Sequence, residues 1–146
     1  MKHVLIAHGP NLNLLGRREP EKYGRMTLAE IDQSLIALGR ELGVAVDTYQ
    51  SNEEGALVTR LQAARDDGTD GVILNAAAYT HTSIALRDAI VFCERPVVEV
   101  HLSNVHKREP FRHVTMIGDV CIGQILGFGP DSYTLGLRAL VAHLSR

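Results

Sequence analysis

The sequence predicts an α/β fold built on a parallel sheet. Short apolar runs of strand length alternate with segments whose apolar residues recur at helical spacing. Glycine- and aspartate-rich turns mark the junctions, and polar residues with reactive side chains collect just after several of the apolar runs. In a sheet of this kind that is where ligands bind, at the carboxyl ends of the strands.

The elements follow in order. His3 to His8 is the first expected strand. Thr27-Leu28-Ala29-Glu30 has the capping-box pattern, in which side chain and backbone satisfy each other at a helix start. Leu28, Ile31, Leu35, Leu38 and Leu42 then fall on one helical face, and Gly43 is a natural stop. Val44 to Tyr49 is the second strand, and a helix from Glu54 to Arg65 turns Leu57, Val58 and Leu61 inward. The turn from Asp66 to Gly71 leads into a third strand, Val72 to Leu74. Thr82 or Ser83 offers the cap of a helix carrying Ile84, Leu86, Ala89 and Ile90. Pro96 opens the fourth strand, Val97 to His101. Leu102 to Gly118 is long, polar and rich in His and Arg, so it reads as a functional loop with one helical turn. A fifth strand near Val120 to Leu126 and a helix from Ser132 to Leu144 complete the chain. The expected architecture is a flavodoxin-like three-layer sandwich, a five-stranded parallel doubly wound sheet, in one domain over residues 1–146.

Composition narrows the function. The 146 residues suffice for one domain with a sizeable core. A net charge of −2 speaks against nucleic acid or an anionic membrane surface as the main partner, so any anion site must come from local arginines. Cys93 and Cys121 both lie in apolar surroundings and are expected as buried reduced thiols, which suits a cytoplasmic protein. No charged-then-apolar leader pattern opens the chain, and Val4 to Ala7 is too short to span a bilayer.

Three strand ends carry the chemistry. The first delivers Asn11 and a glycine-flanked loop, Gly9 to Gly24, in which Tyr23 accompanies Arg17 and Arg18. Positive charge favours phenolate, which makes Tyr23 a candidate base, although a solvated surface loop fits the same residues. The third ends at Asn75 and feeds Ala76 to Ser83, where small residues admit a ligand to the backbone and a helix start can hold an anion. Asn75 alternatively satisfies backbone groups at a strand end. The fourth ends in Glu99-Val100-His101, and the two-residue period of a strand puts Glu99 beside His101. Such a carboxylate orients the imidazole and favours its protonated form, as a general acid requires. Arg108 and Arg112 are a candidate fork for a carboxylate, or else part of a solvated charge cluster with Glu109. Glu99, His101 and His106 are ligand types for a metal, but no two histidines sit four apart on a clear helix, so no metal is expected.

Taken together these motifs resemble the type II 3-dehydroquinate dehydratases, the type II dehydroquinases. The resemblance rests on Gly9-Pro10-Asn11-Leu12-Asn13-Leu14-Leu15-Gly16, Arg18-Glu19-Pro20 with Tyr23-Gly24, and Gln50-Ser51-Asn52. It continues through Tyr79 to Ser83, Ala85-Leu86-Arg87-Asp88, Glu99-Val100-His101, Ser103 to His106, Arg108 to Arg112 and Gly127-Phe128-Gly129. It implies anti elimination of water from 3-dehydroquinate through an enol or enolate, with no cofactor, metal or imine. Tyr23 would take the proton, with Arg18 lowering its pKa; Asn11 would hold a water at the enolate oxygen; and His101, supported by Glu99, would protonate the leaving hydroxyl. Asn75, His81, Leu102, Ser103 and Arg112 would bind substrate, and Asp88 would reach a neighbouring subunit's site in a homododecamer built from trimers. The reaction serves the shikimate pathway to aromatic amino acids and also quinate breakdown.

Two positions depart from the family pattern. His8 stands where relatives usually carry a small polar residue, and Ala77-Ala78 replaces a glycine-containing pair. A packed strand-end histidine and a slightly stiffer backbone are the expectations. The competing functions are a flavodoxin-like phosphate or nucleotide module and a catalytically silent scaffold. The first lacks both a Gly-x-Gly-x-x-Gly turn after a strand and a Walker lysine.

Overall fold

Five parallel strands in the order β2-β1-β3-β4-β5 form the sheet of the computed structural model, which describes residues 1–17 and 25–146. They are β1 (Lys2–His8), β2 (Val44–Gln50), β3 (Gly71–Asn75), β4 (Val97–His101) and β5 (Gly123–Leu126). Four α-helices connect and cover them among the described residues: α1 (Leu28–Leu42), α2 (Glu54–Ala63), α3 (Ile84–Cys93) and α4 (Asp131–Leu144).

Alternation along the strands divides the core into two layers. Val4, Ile6, Ile73, Val98 and Val100 face α1 and α4, where they meet Ile31, Leu35, Leu38, Leu137 and Leu140. Leu5, Ala7, Val72, Leu74 and Val97 face α2 and α3, where they meet Leu57, Leu61, Leu86, Ala89 and Ile90. Each fully buried Leu or Ile contributes about 1.5–3 kcal/mol, so the central strands are fixed by burial on both faces. The capping box of α1 is present: Glu30 N–H donates to Thr27 Oγ1 at 3.2 Å, and Thr27 N–H donates to Glu30 Oε1 at 3.2 Å. Gly43 ends that helix at φ 77°, a left-handed conformation that glycine adopts without a Cβ penalty.

Several expectations need adjusting. α2 stops at Ala63, two residues early, because the backbone tightens into turns through Asp67. Ser83, not Thr82, caps α3, accepting from Leu86 N–H at 2.9 Å. Ile84 points outward, since the inner face is set by Leu86, Ala89, Ile90 and Cys93. β5 begins only at Gly123, because a 3-10 turn at Gly118–Val120 occupies the backbone that precedes it. The long loop holds two complete 3-10 turns, Val105–Lys107 and Pro110–Arg112, instead of one helical turn. Cys93 is buried, but Cys121 is only partly so; burial pushes its thiol up to about 12. None of the described helices is long and apolar enough to cross a membrane.

Candidate active site

The strand order reverses between β1 and β3, and their carboxyl ends open a crevice at this switch point. Gly9 makes the crevice possible. Its N–H donates to the Asn75 carbonyl at 2.8 Å, and a Cβ there would lie 2.5 Å from the Ala76 carbonyl oxygen. Only a residue without a side chain lets the two loops touch. Asn11 follows at φ 68°, and its N–H donates to Asn52 Oδ1 at 2.9 Å. Gln50 Nε2 donates to the Gly9 carbonyl at 3.2 Å and to Asn52 Oδ1 at 3.1 Å. The end of β2 therefore braces the turn that presents Asn11.

A pocket at this point is lined by Asn11, Asn75, His81, His101, Leu102, Ser103, Arg108 and Arg112, with Leu12, Leu15 and Val105 as apolar wall. Glu99 and His101 lie on the face of β4 that carries Val97, as the two-residue period requires. His101 Nε2 lies 2.5 Å from Glu99 Oε2, and both residues are buried. Gln124 Nε2 donates to Glu99 Oε1 at 3.0 Å, and Thr115 Oγ1 donates to the same oxygen at 3.2 Å. The Thr115 oxygen meanwhile accepts from the N–H groups of Ile117 and Gly118 at 3.2 and 3.1 Å, so its one proton is left for the carboxylate. Burial works to raise the Glu99 carboxyl, but the His101 bond and charge with the Gln124 and Thr115 bonds outweigh it and hold the group below its ordinary 4.5. Glu99 is thus an ionised carboxylate at neutral pH, paired with an imidazole that opens on the pocket. His101 Nδ1 makes no hydrogen bond among the described residues.

Opposite, the His81 ring stacks on His101 with centroids 6.2 Å apart. Its Nδ1 lies 2.7 Å from the Val114 carbonyl, which can only accept, so the proton sits on Nδ1 and Nε2 is an acceptor. Burial first, with the charges of His101 and Arg112, lowers its pKa and keeps the ring neutral. Arg112 is steadied by Glu109, Nε to Oε1 at 2.9 Å, and Arg108 Nη1 reaches Ser103 Oγ at 3.4 Å. Arg108 follows one 3-10 turn and Arg112 closes the next, and both line the pocket. Asn75 performs the strand-end task as well as lining the pocket: its Oδ1 accepts from Ala77 N–H at 3.1 Å. Ala77 itself sits at φ 51°, so a left-handed residue within the Ala77-Ala78 pair is held here by an alanine.

Arg18 and Tyr23 lie outside the described residues. Arg17 is exposed at the edge of the described chain. Asp88 is on the exposed face of α3 and is not among the residues lining this chain's pocket. Among the described residues, no group of three or more His, Cys, Asp or Glu side chains could hold a metal ion. Thr115 and Gln124 were not apparent from sequence: they lie 16 and 25 residues from the carboxylate they serve, in stretches without a motif.

Comparison with known proteins gives a consistent result. The family model "Dehydroquinase class II" matches residues 2–141. The chain is 57% identical over 142 residues to a 3-dehydroquinate dehydratase of Bordetella avium, covering 97% of this chain and 99% of that one. It is 55% identical over 146 residues to the 3-dehydroquinate dehydratase of Xanthomonas campestris pv. campestris, covering 100% and 99%. The crystal structure of type II dehydroquinase from Propionibacterium acnes superposes with a TM-score of 0.93 at 41% identity, covering 97% of each chain.

Proposed function

The chain belongs to the class II dehydroquinase family and acts as a 3-dehydroquinate dehydratase, and we propose that it eliminates water with Tyr23 as base and His101 as acid. The observation that carries the acid half is the buried Glu99–His101 pair at the mouth of the switch-point pocket. In this scheme Tyr23, as a phenolate favoured by the charge of Arg18, takes a proton from the carbon next to the substrate ketone. The electron pair passes onto the ketone oxygen as an enolate, which a water held by Asn11 stabilises. Collapse of the enolate forms the carbon–carbon double bond and expels the hydroxyl, which leaves as water with the proton of His101. Glu99 stabilises the imidazolium before that transfer and fixes its orientation. Tyr23 ends protonated and His101 neutral, and exchange with solvent restores both.

His81 Nε2 accepts from a substrate hydroxyl, Asn75 donates to another, and the Leu102 and Ser103 backbone with Arg112 holds the carboxylate. Arg112 suits this because a guanidinium meets a carboxylate with two parallel donors. We place the enzyme in the cytoplasm, in the shikimate pathway, and assign it a homododecamer of trimers in which Asp88 completes a neighbour's site. Exposed Ile84, Phe92, Phe111 and Phe128 side chains support an extended subunit interface. The mass in solution tests the assembly, and a monomer would refute it. The chemistry is tested by the ultraviolet absorbance of the enone formed from 3-dehydroquinate by the wild type and Tyr23→Phe. Turnover is expected to fall by at least about a hundredfold in the variant, the usual size of one general-base contribution. Near-normal turnover in Tyr23→Phe would overturn the assignment.

A further inference from the structure

His8 is fully buried beneath the pocket and takes part in a chain of hydrogen bonds that the catalytic scheme does not use. Its Nε2 lies 2.7 Å from Asp32 Oδ1 on α1, and its Nδ1 lies 2.8 Å from the Tyr133 hydroxyl on α4. The Tyr133 oxygen in turn receives Asn75 Nδ2 at 3.0 Å, and Tyr133 is also fully buried. Four side chains from β1, α1, α4 and β3 are thus linked from a partly exposed carboxylate to a pocket residue.

The direction of every bond in this chain follows from one backbone group. Ala77 N–H can only donate, so the Asn75 atom facing it is the carbonyl oxygen, and the amide nitrogen faces Tyr133. Tyr133 therefore accepts from Asn75 and must place its own proton on His8 Nδ1. His8 is then the neutral tautomer with its proton on Nε2, donated to the Asp32 carboxylate. A protonated His8 would offer Tyr133 a second donor and leave the phenol proton buried without a partner, which is unfavourable. The neutral, one-directional arrangement satisfies every member.

We propose that His8, Tyr133 and Asp32 are positioning residues for the elimination, holding the Asn75 amide in the orientation that meets substrate. With Ala77 on one side and Tyr133 on the other, the amide can neither flip nor rotate, and it keeps one Nδ2 proton for a substrate hydroxyl. His8 is the link that makes Tyr133 an acceptor toward Asn75, since its bare Nδ1 takes the phenol proton. Asp32 fixes that tautomer. The departure from the family pattern at position 8 therefore has a use: the ring bridges two helices across the end of β1.

This inference rests on the reading of Asn75 as a substrate ligand, and the test separates the two. KM and kcat for 3-dehydroquinate are measured for the wild type, Tyr133→Phe, Asn75→Ala and the double variant, each confirmed folded by circular dichroism. Asn75 binds the ground state and the transition state alike, so Tyr133→Phe is expected to raise KM by about five- to tenfold with kcat nearly unchanged. In the Asn75→Ala background the Tyr133→Phe effect on KM should vanish. An unchanged KM in Asn75→Ala would refute the reading of Asn75 itself. A raised KM in Asn75→Ala beside an unchanged KM in Tyr133→Phe, or effects that multiply in the double variant, would overturn the inference alone. If Tyr133→Phe does not fold, Asp32→Ala at the partly exposed end serves in the same cycle, with His8→Asn as the conservative partner. A KM shift in Asp32→Ala that depends on Asn75 supports the chain, and its absence overturns it.

Discussion

Replacing Gln124 by Met removes one donor from the Glu99 carboxylate at little cost to packing, because Gln124 lies on the exposed side of the edge strand β5. Its Nε2 bond to Glu99 Oε1 is 3.0 Å long, a good amide-to-carboxylate distance. Hydrogen bonds to charged acceptors contribute about 1.5–3 kcal/mol, and solvent near the exposed donor brings this one to about 1.4 kcal/mol. The sign follows from linkage. Glu99 is held below its ordinary 4.5, so its contribution to stability is present above that value and lost as pH falls through the folded-state value. Gln124→Met shrinks the depression, so it should destabilise at neutral pH and approach the wild type in acid, where both carboxyls are protonated. Urea unfolding at pH 7 and at a pH well below the ordinary carboxyl value, at equal protomer concentration, reads the difference. A destabilisation that is the same at both pH values would refute the claim that Gln124 acts on the ionised form of Glu99.

Gly9→Ala would force a Cβ to 2.5 Å from the Ala76 carbonyl oxygen, and the three nearest atoms all belong to the Ala76 backbone. The two loops should separate, with thermal stability lowered by at least about 2 kcal/mol and KM raised; unchanged melting and KM would contradict the close approach. Arg112→Lys keeps the charge and loses the fork as well as its Nε bond to Glu109. Its KM should rise about tenfold with kcat less affected, and a wild-type KM would remove Arg112 from carboxylate binding.

Much of the scaffold was legible because its causes are local. The apolar runs of β1, β3 and β4, the Thr27–Glu30 box and the Gly43 stop each depend on residues within a turn of one another. The Glu99–His101 pair was legible for the same reason, being two residues apart on one strand. What escaped depends on partners far along the chain. Thr115 and Gln124 matter only because folding brings them to Glu99, and nothing near either marks that. His8 was readable as a packed strand-end histidine, but its link to Asp32 and Tyr133 spans 24 and 125 residues. The late start of β5 has a related cause, since Cys121 N–H is already bonded to the Ile117 carbonyl and strand pairing begins only at Gly123.

The central claim is that the buried Glu99–His101 pair supplies the proton for the departing hydroxyl. It is tested most directly by the turnover of His101→Ala, followed by enone absorbance from 3-dehydroquinate with the fold verified. The account predicts a fall in kcat of about a hundred- to ten-thousandfold, the span of general acid catalysis, with substrate still bound. A kcat within a few-fold of the wild type would contradict it.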